Sequence, residues 1–520
     1  MTTREPLLIG PFVGGLNTFD DQSSIKDTEC YQALNFDMGT DGSLRSRPPF
    51  TDTGNSIIKR NDDAYTHGFL GFYYDANGKP YLIAASGWAS PSTGGTSVYD
   101  YETKTWTTIT NTFSAADMVQ FDGKAWLVAP NGSANPGGYW TPSGGFVADS
   151  NMPKGESITA YKARLFIASG QSGTSPTRMY YSKVLGQSSF WASAAFLEVG
   201  SGDGQAIVKL VTYFDSILVF RSESIWEYQY NTDPATAISS IMVPGIGLVN
   251  RFSLAIYESY IYFMYDEGVY ELANSKANKL NDKVLFESVA RESDRPYEVS
   301  IFNDRLVCHF FEKLYIFSLR TRTWTMWRSD VWGPVGRIVT PNSDTPFTEG
   351  LCLQNLPSTY GGSDRYKVLH IQEGLSDVAE SFQCILQTKI YSFSVPGAFK
   401  VLFWWGIDAV FRGHVRGYAT PVSYSQAVTW GQLLSQGLTW GDLGTWSHPA
   451  LPDPSVITDV TSTGSGNVRK FVRFLKKLRF RQISFKVAFD VDGTSETAPV
   501  ELFTISAYMN KKQTVNKQIS

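Results

Sequence analysis

The chain has 520 residues, 42% apolar and 18% charged, with a formal net charge of −4. That supports two or three domains with sizeable cores and excludes a disordered chain. The slight acidic excess excludes a protein built as a whole for non-specific nucleic-acid binding, although a local patch stays open. Aromatic residues reach 14% and there are 45 glycines, a balance that favours many strands joined by tight turns.

The cysteines at 30, 308, 352 and 384 form no Cys-x-x-Cys. The expectation is buried free thiols in a chain made in a reducing cytoplasm, with no zinc site. The opening MTTREPLLIGPF has too short an apolar run for a signal peptide. AFKVLFWWGIDAVF is short and carries a Lys and an Asp, so no membrane insertion is expected.

Residues 1–54 read as an arm. Gly14-Gly15 opens it with backbone freedom that other residues lack. Asp27 is placed to cap a helical turn with Glu29 in its first turn. Asp41-Gly42 signals a hairpin, and Pro48-Pro49 forces an extended exit. The arm holds few large apolar residues for its length, so it should be ordered by docking: onto a neighbour, or by adding strands that close a ring.

Residues 55–385 contain a weak repeat. An aromatic, a few turn-forming or charged residues and an apolar run recur at Tyr74, Phe121, Tyr161, Phe214, Tyr257 and Phe302, with a seventh, weaker copy near Tyr366. Each copy reads as a tight hairpin, often followed by another strand. About four strands per roughly 40–50 residues is the signature of a β-propeller blade, and six or seven blades are expected. Two later hairpins, Tyr99–Thr107 and Phe317–Thr325, align without a gap, which points to Trp106 and Trp324 as packing residues between blades.

Residues 386–520 read as a small β-sandwich. KIYSFSVPGAFKVLFWWGIDAVFRG suggests two long strands around a Pro-Gly turn. KKLRFRQISFKVAF alternates but slips in parity at Gln482, which predicts a β-bulge. The fold class expected is thus all-β: an arm, a six- or seven-bladed propeller and a C-terminal sandwich.

The opening residues resemble a known group. GGLNTFDD, then IKDTECYQALNFDM, then DGSLRSRPPF are similar to the start of a family of tailed-bacteriophage virion proteins. The shared features are Gly14-Gly15-Leu16-Asn17, a Lys-Asp-x-Glu turn at Asp27, and an Asp-Gly hairpin followed by Leu44-Arg45-x-Arg47-Pro48. The closing KKLRFRQISFKV is similar to the last domain of that family. The resemblance implies a minor tail or nozzle-like structural protein, located in the virion tail, made in the host cytoplasm and assembled with other phage tail proteins as a homo-oligomeric ring. It would touch DNA only if it lines the tail lumen.

The search for chemistry assigns no catalytic, cofactor or metal residue. Both matched hairpins depart from the sialidase-type box, with Val98 and Glu102 beside a matching Asp100 in the first and Ile316, Ser318 and Arg320 in the second, which weakens a hydrolase reading. Acids at Asp75, Asp122, Asp215, Glu258 and Asp304 sit where turns are expected. The five histidines form no metal-binding spacing, and DVDGTSETAPVE lacks the full calcium-loop pattern. The basic stretch from Val468 to Lys486 fits DNA, an acidic partner or a basic solvent face. Trp430, Trp440 and Trp446 offer rings for a sugar or another subunit, or for their own loop. The leading expectation is a non-enzymatic tail component; the alternative is a propeller that binds or cleaves a host-surface glycan.

Overall fold

The structure, a computed structural model, describes residues 4–56, 69–86, 95–170, 173, 175–186, 190–191, 195–200, 202–266, 268–284, 298–310, 313–328, 337–340, 349–353, 367–372, 382–391, 400–411, 413–422, 458–462, 469–480, 482–491 and 500–511. Among these, strands dominate and the one helical element is a single turn at Pro234–Thr236.

Each recurring sequence unit is the inner hairpin of a four-stranded antiparallel sheet. Blade one runs Phe69–Tyr74, Pro80–Ser86, Gly95–Asp100 and Thr105–Thr110. Blades two to six begin at Asp117, Ser157, Ile207, Leu254 and Glu298 and repeat the same meander. The hairpin turns carry positive φ at Asp122, Lys162, Phe214, Glu258 and Asn303. A two-residue turn between twisted strands demands that conformation, so turn-forming residues recur there.

The second strand of every blade explains the continuous apolar runs. Its consecutive residues point to opposite faces, and both faces are covered by a neighbouring blade. Leu127 packs with Ile83 of blade one, and Trp126 with Leu165 of blade three. Phe166 meets Val219, Phe220 meets Phe263, Met264 meets Leu306, and Val307 meets Leu369. Leu351 returns to Leu82 and Tyr99 of blade one. Seven inter-blade cores therefore close a ring of seven blades.

The seventh blade is assembled from both ends of the propeller. Val339 bridges Leu351, Glu349–Leu353 pairs with Lys367–Gln372, and the outer strand is Phe50–Ser56 from the arm. The weaker repeat copy at Tyr366 therefore leads into the third strand of this blade, not into an inner hairpin. The expected boundaries at 54/55 and 385/386 fall inside Phe50–Ser56 and Phe382–Gln387.

The C-terminal unit is a sandwich of two sheets. One orders Lys470–Phe480, Lys400–Val410, Glu501–Lys511, Leu44–Ser46 and Phe36–Met38, with Arg4–Ile9 also on Glu501–Lys511. The other orders Gln32–Leu34, Phe382–Gln387, Gln482–Val491, Gly413–Val422 and Thr458–Ser462. Trp405, Phe474, Phe485 and Phe489 fill the space between. The parity slip at Gln482 marks a crossing from one sheet to the other, not a bulge within a strand. Phe480 pairs with Lys400, whereas Gln482 pairs with Val422 in the opposite sheet. Changing sheets reverses the inward face, so parity must shift for Phe480 and Ile483 to enter one core. Of the two strands expected around the Pro-Gly turn, the second forms as Lys400–Val410; the first begins at Lys389, where Tyr391 bridges Ile483 of the other sheet, and residues 392–399 with the turn fall outside the described residues.

The two gap-free hairpins behave alike. Lys104 and Arg322 adopt positive φ at equivalent places, and a Thr103–Thr105 hydroxyl pair matches Thr321–Thr323. Trp324 is buried between blades five and six and donates its indole N–H to Leu280 O at 3.0 Å. Trp106 is half-buried, 5.0 Å from the Tyr99 ring at the junction of blades seven and one. Trp324→Ala should therefore cost about 3–5 kcal/mol in chemical denaturation, and Trp106→Ala about 1–2 kcal/mol.

Candidate functional site

The arm is where the two units are joined, and most of its motif residues are in contact with one of them. Gly14 N–H donates to Thr28 O, and a Cβ there would lie 2.5 Å from Glu29 Cγ. Gly15 has φ +68° and sits so close to blade six that a Cβ would lie 2.7 Å from Thr323 Cβ. Leu16 enters the core between blades five and six. Asn17 is buried; its amide donates to Asp20 and to Glu29 Oε2, both at 2.9 Å.

The expected helical turn at Asp27 is absent. Glu29–Cys30 forms a short parallel strand with Gly15–Leu16, and Asp27 is exposed, 2.7 Å from Lys389 Nζ. Glu29 caps this bend instead, accepting from Lys26 N at 3.0 Å. Burial would raise its carboxyl, but Lys283 at 2.8 Å, Lys26 N and Asn17 hold it below the ordinary value. Tertiary partners outweigh the local capping preference here.

The Asp41-Gly42 hairpin forms, with Met38 opposite Leu44 and Asp41 Oδ1 accepting from Ser43 N at 3.0 Å. Leu44 lies in the sandwich core and Arg45 pairs with Glu501 at 2.8 Å. Arg47 is buried 4.0 Å over the Phe382 ring and donates to Asn35 Oδ1, to Arg328 O and to the carbonyl of buried Pro48.

Asn35, which sequence reasoning passed over, is the knot of this junction. It adopts φ +59°, a conformation asparagine tolerates better than most side chains. Its backbone N–H reaches Met326 O in blade six at 2.6 Å, and its Oδ1 accepts from Arg328 N at 2.7 Å. Its Nδ2 donates to Gln383 O in the sandwich at 2.8 Å. Leu34, next to it, pairs with Met326 on one side and Ile385 on the other, so one hydrogen-bonded sheet runs from propeller to sandwich. Asn35→Ala should lose about 2–4 kcal/mol and split calorimetric unfolding into two steps; Asn35→Gly, which relieves the backbone, should lose less.

A second cluster, also absent from the sequence reading, lies on the propeller axis. Asp117 opens the inner strand of blade two and accepts from Ser157 Oγ and Ile158 N of blade three. It also holds Lys209 of blade four at 2.6 Å. Blades two and four are not neighbours, so this pair meets at the axis. A bulge at Val208 aims Lys209 there. Arg251, ahead of blade five, is buried 5.0 Å over the Phe252 ring, with Nη1 3.5 Å from Glu156 O. Glu298 opens blade six and accepts from the backbone N of Arg337, in blade seven, at 2.6 Å. His309 stands directly across from Glu298.

These groups shape one another's charge. Burial pushes the Lys209 amine down; Asp117 opposes this, and Arg337 and Arg251 add to it. Burial lowers Arg251 to about 10 against Glu156 and Asp117, and lowers Arg337 against Glu298 and Asp117. Burial raises the Glu298 carboxyl to about 7 despite Arg337. The signal was present in the sequence: a charged residue a few positions ahead of the repeat aromatic at Phe121, Phe214, Tyr257 and Phe302.

Among the other expected features, all four cysteines are buried and free, and burial pushes the Cys30 thiol up to about 12. Among the described residues no group of three or more potential metal ligands converges, and no helix is long and apolar enough to cross a membrane. Trp430, Trp440, Trp446 and residues 492–499 of the calcium-like segment at 490–501 lie outside the described residues. The basic stretch spans the edge strand Lys470–Phe480 of one sheet and enters the inner strand Gln482–Val491 of the other; in the edge strand Val472 and Phe474 point inward, while Phe471 and Arg473 are exposed and Arg473 lies 4.6 Å over the Trp404 ring.

No family profile matches the chain, and no curated protein does. Among solved structures it is similar to the WD40 domain of Neurospora crassa Pan2, with 9% identity and a TM-score of 0.38, covering 65% of this chain and 97% of that one. It is also similar to the extracellular domain of a hybrid two-component system from B. thetaiotaomicron, with 10% identity and a TM-score of 0.41, covering 77% of this chain and 57% of that one. The β-propeller assignment stands on the seven closed blades described above.

The raised Glu298 carboxyl predicts a pH effect. The folded state keeps this proton up to about pH 7, whereas an unfolded glutamate releases it near roughly 4.3. The unfolded state therefore binds fewer protons in between, and stability falls as pH rises through that window. Glu298→Gln should flatten the fall, on the order of 2–3 kcal/mol, in denaturation curves recorded from pH 5 to 7.5.

Proposed function

We propose that this chain is a structural component of a bacteriophage tail, at its tip, nozzle or baseplate, acting through protein–protein assembly. The observation that carries the reading is the arm. The segments that resemble tail proteins, from Gly14-Gly15-Leu16-Asn17 to Leu44-Arg45-x-Arg47-Pro48, are those that join propeller and sandwich into one connected body. A part that bears load within an assembly needs such a junction more than an independent binding module does.

Large exposed apolar side chains, including Leu8, Phe19, Phe214 and Ile238, are further support, since exposed apolar groups are available for contact with other subunits. Partners on this reading are other tail proteins and further copies of the chain in a ring, and the location is the virion. Mass spectrometry of purified particles should find the chain at a fixed stoichiometry to the other tail components. Its absence from intact particles would overturn the proposal. Binding to a host-surface glycan array, lost when Trp430, Trp440 and Trp446 are replaced by Ala, would favour the alternative instead.

A further inference from the structure

We infer that the outer edge of blade four, Ile238–Pro244, is the surface through which two copies of this chain pair, strand against antiparallel strand about a two-fold axis at Ser240. This goes beyond the structural role proposed above and does not depend on it: the pairing is read on the isolated chain, whereas that role is read on particles. The strand is the last of its sheet and pairs only with Ser224–Gln229. On its other side no backbone group of Ile238–Pro244 has a hydrogen-bond partner among the described residues. The edge is also held ready. Asp233 caps the turn ahead of it through Ala235 N at 2.9 Å, and Tyr228 Oη donates to Pro234 O at 3.0 Å. A pre-ordered strand loses little entropy on pairing.

Natural sheets blunt such edges with charge, shortness or a cover. Blade two ends in the four residues Gly145–Ala148, and blade three in Phe196–Glu198, where Glu198 pairs with Arg178. Blade five ends in Lys276–Lys279, with a lysine at each end, and the edge of blade six is paired with Gln32–Leu34. The outer strand of blade seven carries Asp52. Thr105–Thr110 of blade one is uncharged, but its exposed residues are threonines. Among the described outer strands, only that of blade four presents isoleucines to solvent: Ile238 is 76% exposed and Ile241 49%, and the strand holds no charge.

That neutrality selects a second copy as the occupant. An uncharged strand offers nothing to a charged partner, and an identical strand brings no like charges together. Directly opposed residues share a face, so the two-fold axis must pass through a residue. The bulge at Met242 and the missing N–H of Pro244 confine regular pairing to the first part of the strand. An axis at Ser240 sets serine against serine and Ile238 against Met242 of the second copy.

Sedimentation of the full chain from about 1 to 200 µM tests this, since a single strand pair is small for an interface and associates weakly. A monomer–dimer equilibrium is expected, and Ile241→Lys should weaken it at least about tenfold, since a charge on an edge opposes pairing. Ser240→Cys should join two copies by a disulfide under mild oxidation, because opposed Cα atoms lie about 4.5–5.5 Å apart, within disulfide reach. The four native cysteines are buried and do not compete. Thr107→Cys, exposed on the blade-one edge, should not join. A chain that stays monomeric up to about 200 µM, a dimer unchanged by Ile241→Lys, or cross-linking no faster at Ser240→Cys than at Thr107→Cys would overturn the inference.

Discussion

The two units of this protein are joined by the strand that leads into Asn35, and Arg47 braces that asparagine from the side. Asn35 uses its backbone and both side-chain atoms on partners from blade six, the sandwich and its own arm, and Arg47 fills the remaining side of its carbonyl oxygen. Asp37, two residues on, adds a second tie to blade six, accepting from Trp327 Nε1 at 3.1 Å and pairing with Arg305 at 2.9 Å. A buried polar group left without its partner costs about 1–3 kcal/mol, so the junction tolerates little change. Around this knot the arm supplies Ile9, Phe12, Phe36 and Leu44 to the sandwich and Leu16 to the propeller. The arm has no core of its own because its apolar residues are divided between two others.

That division explains the density of turn signals in the opening segment. A strand that must pair with blade six, then with the sandwich, then with blade seven cannot run straight. Gly15 lets the backbone touch Thr323, the Gly42 turn avoids Pro11 and Val13, and Pro48-Pro49 sends the chain towards its outer-strand position at Phe50. Each conformational device stands where the arm changes partner.

The repeated hairpins were legible because they are local: an aromatic, a positive-φ turn and an apolar run lie within a dozen residues. The matched hairpins at Trp106 and Trp324 were legible for the same reason. Blade seven was legible only in part: the weak copy near Tyr366 and an arm able to close the ring pointed to it, but the pairing of Phe50 with Ile371 leaves no mark in either segment. The parity slip at Gln482 was visible, yet a bulge and a crossing between sheets produce the same pattern. Asp27 reads as a cap by propensity, and only the distant Lys283 and Lys389 decide otherwise. The axial charges escaped notice because alternation accounts for the apolar residues of an inner strand and assigns nothing to the polar one at its start.

Closing the ring with a strand from its beginning also sets a schedule for synthesis. Phe50 leaves the ribosome long before Ile371 exists, and at about 5–20 residues per second the interval is tens of seconds. Through that interval blade one has no neighbour over Leu82, Ala84 and Tyr99, and the outer strand of blade seven waits with unsatisfied edges. The nascent chain must keep an open arc of blades from meeting another open arc. Two chains in that condition, translated side by side, are complementary at their flanks, and an exchange of first strands between them would close two rings as readily as one.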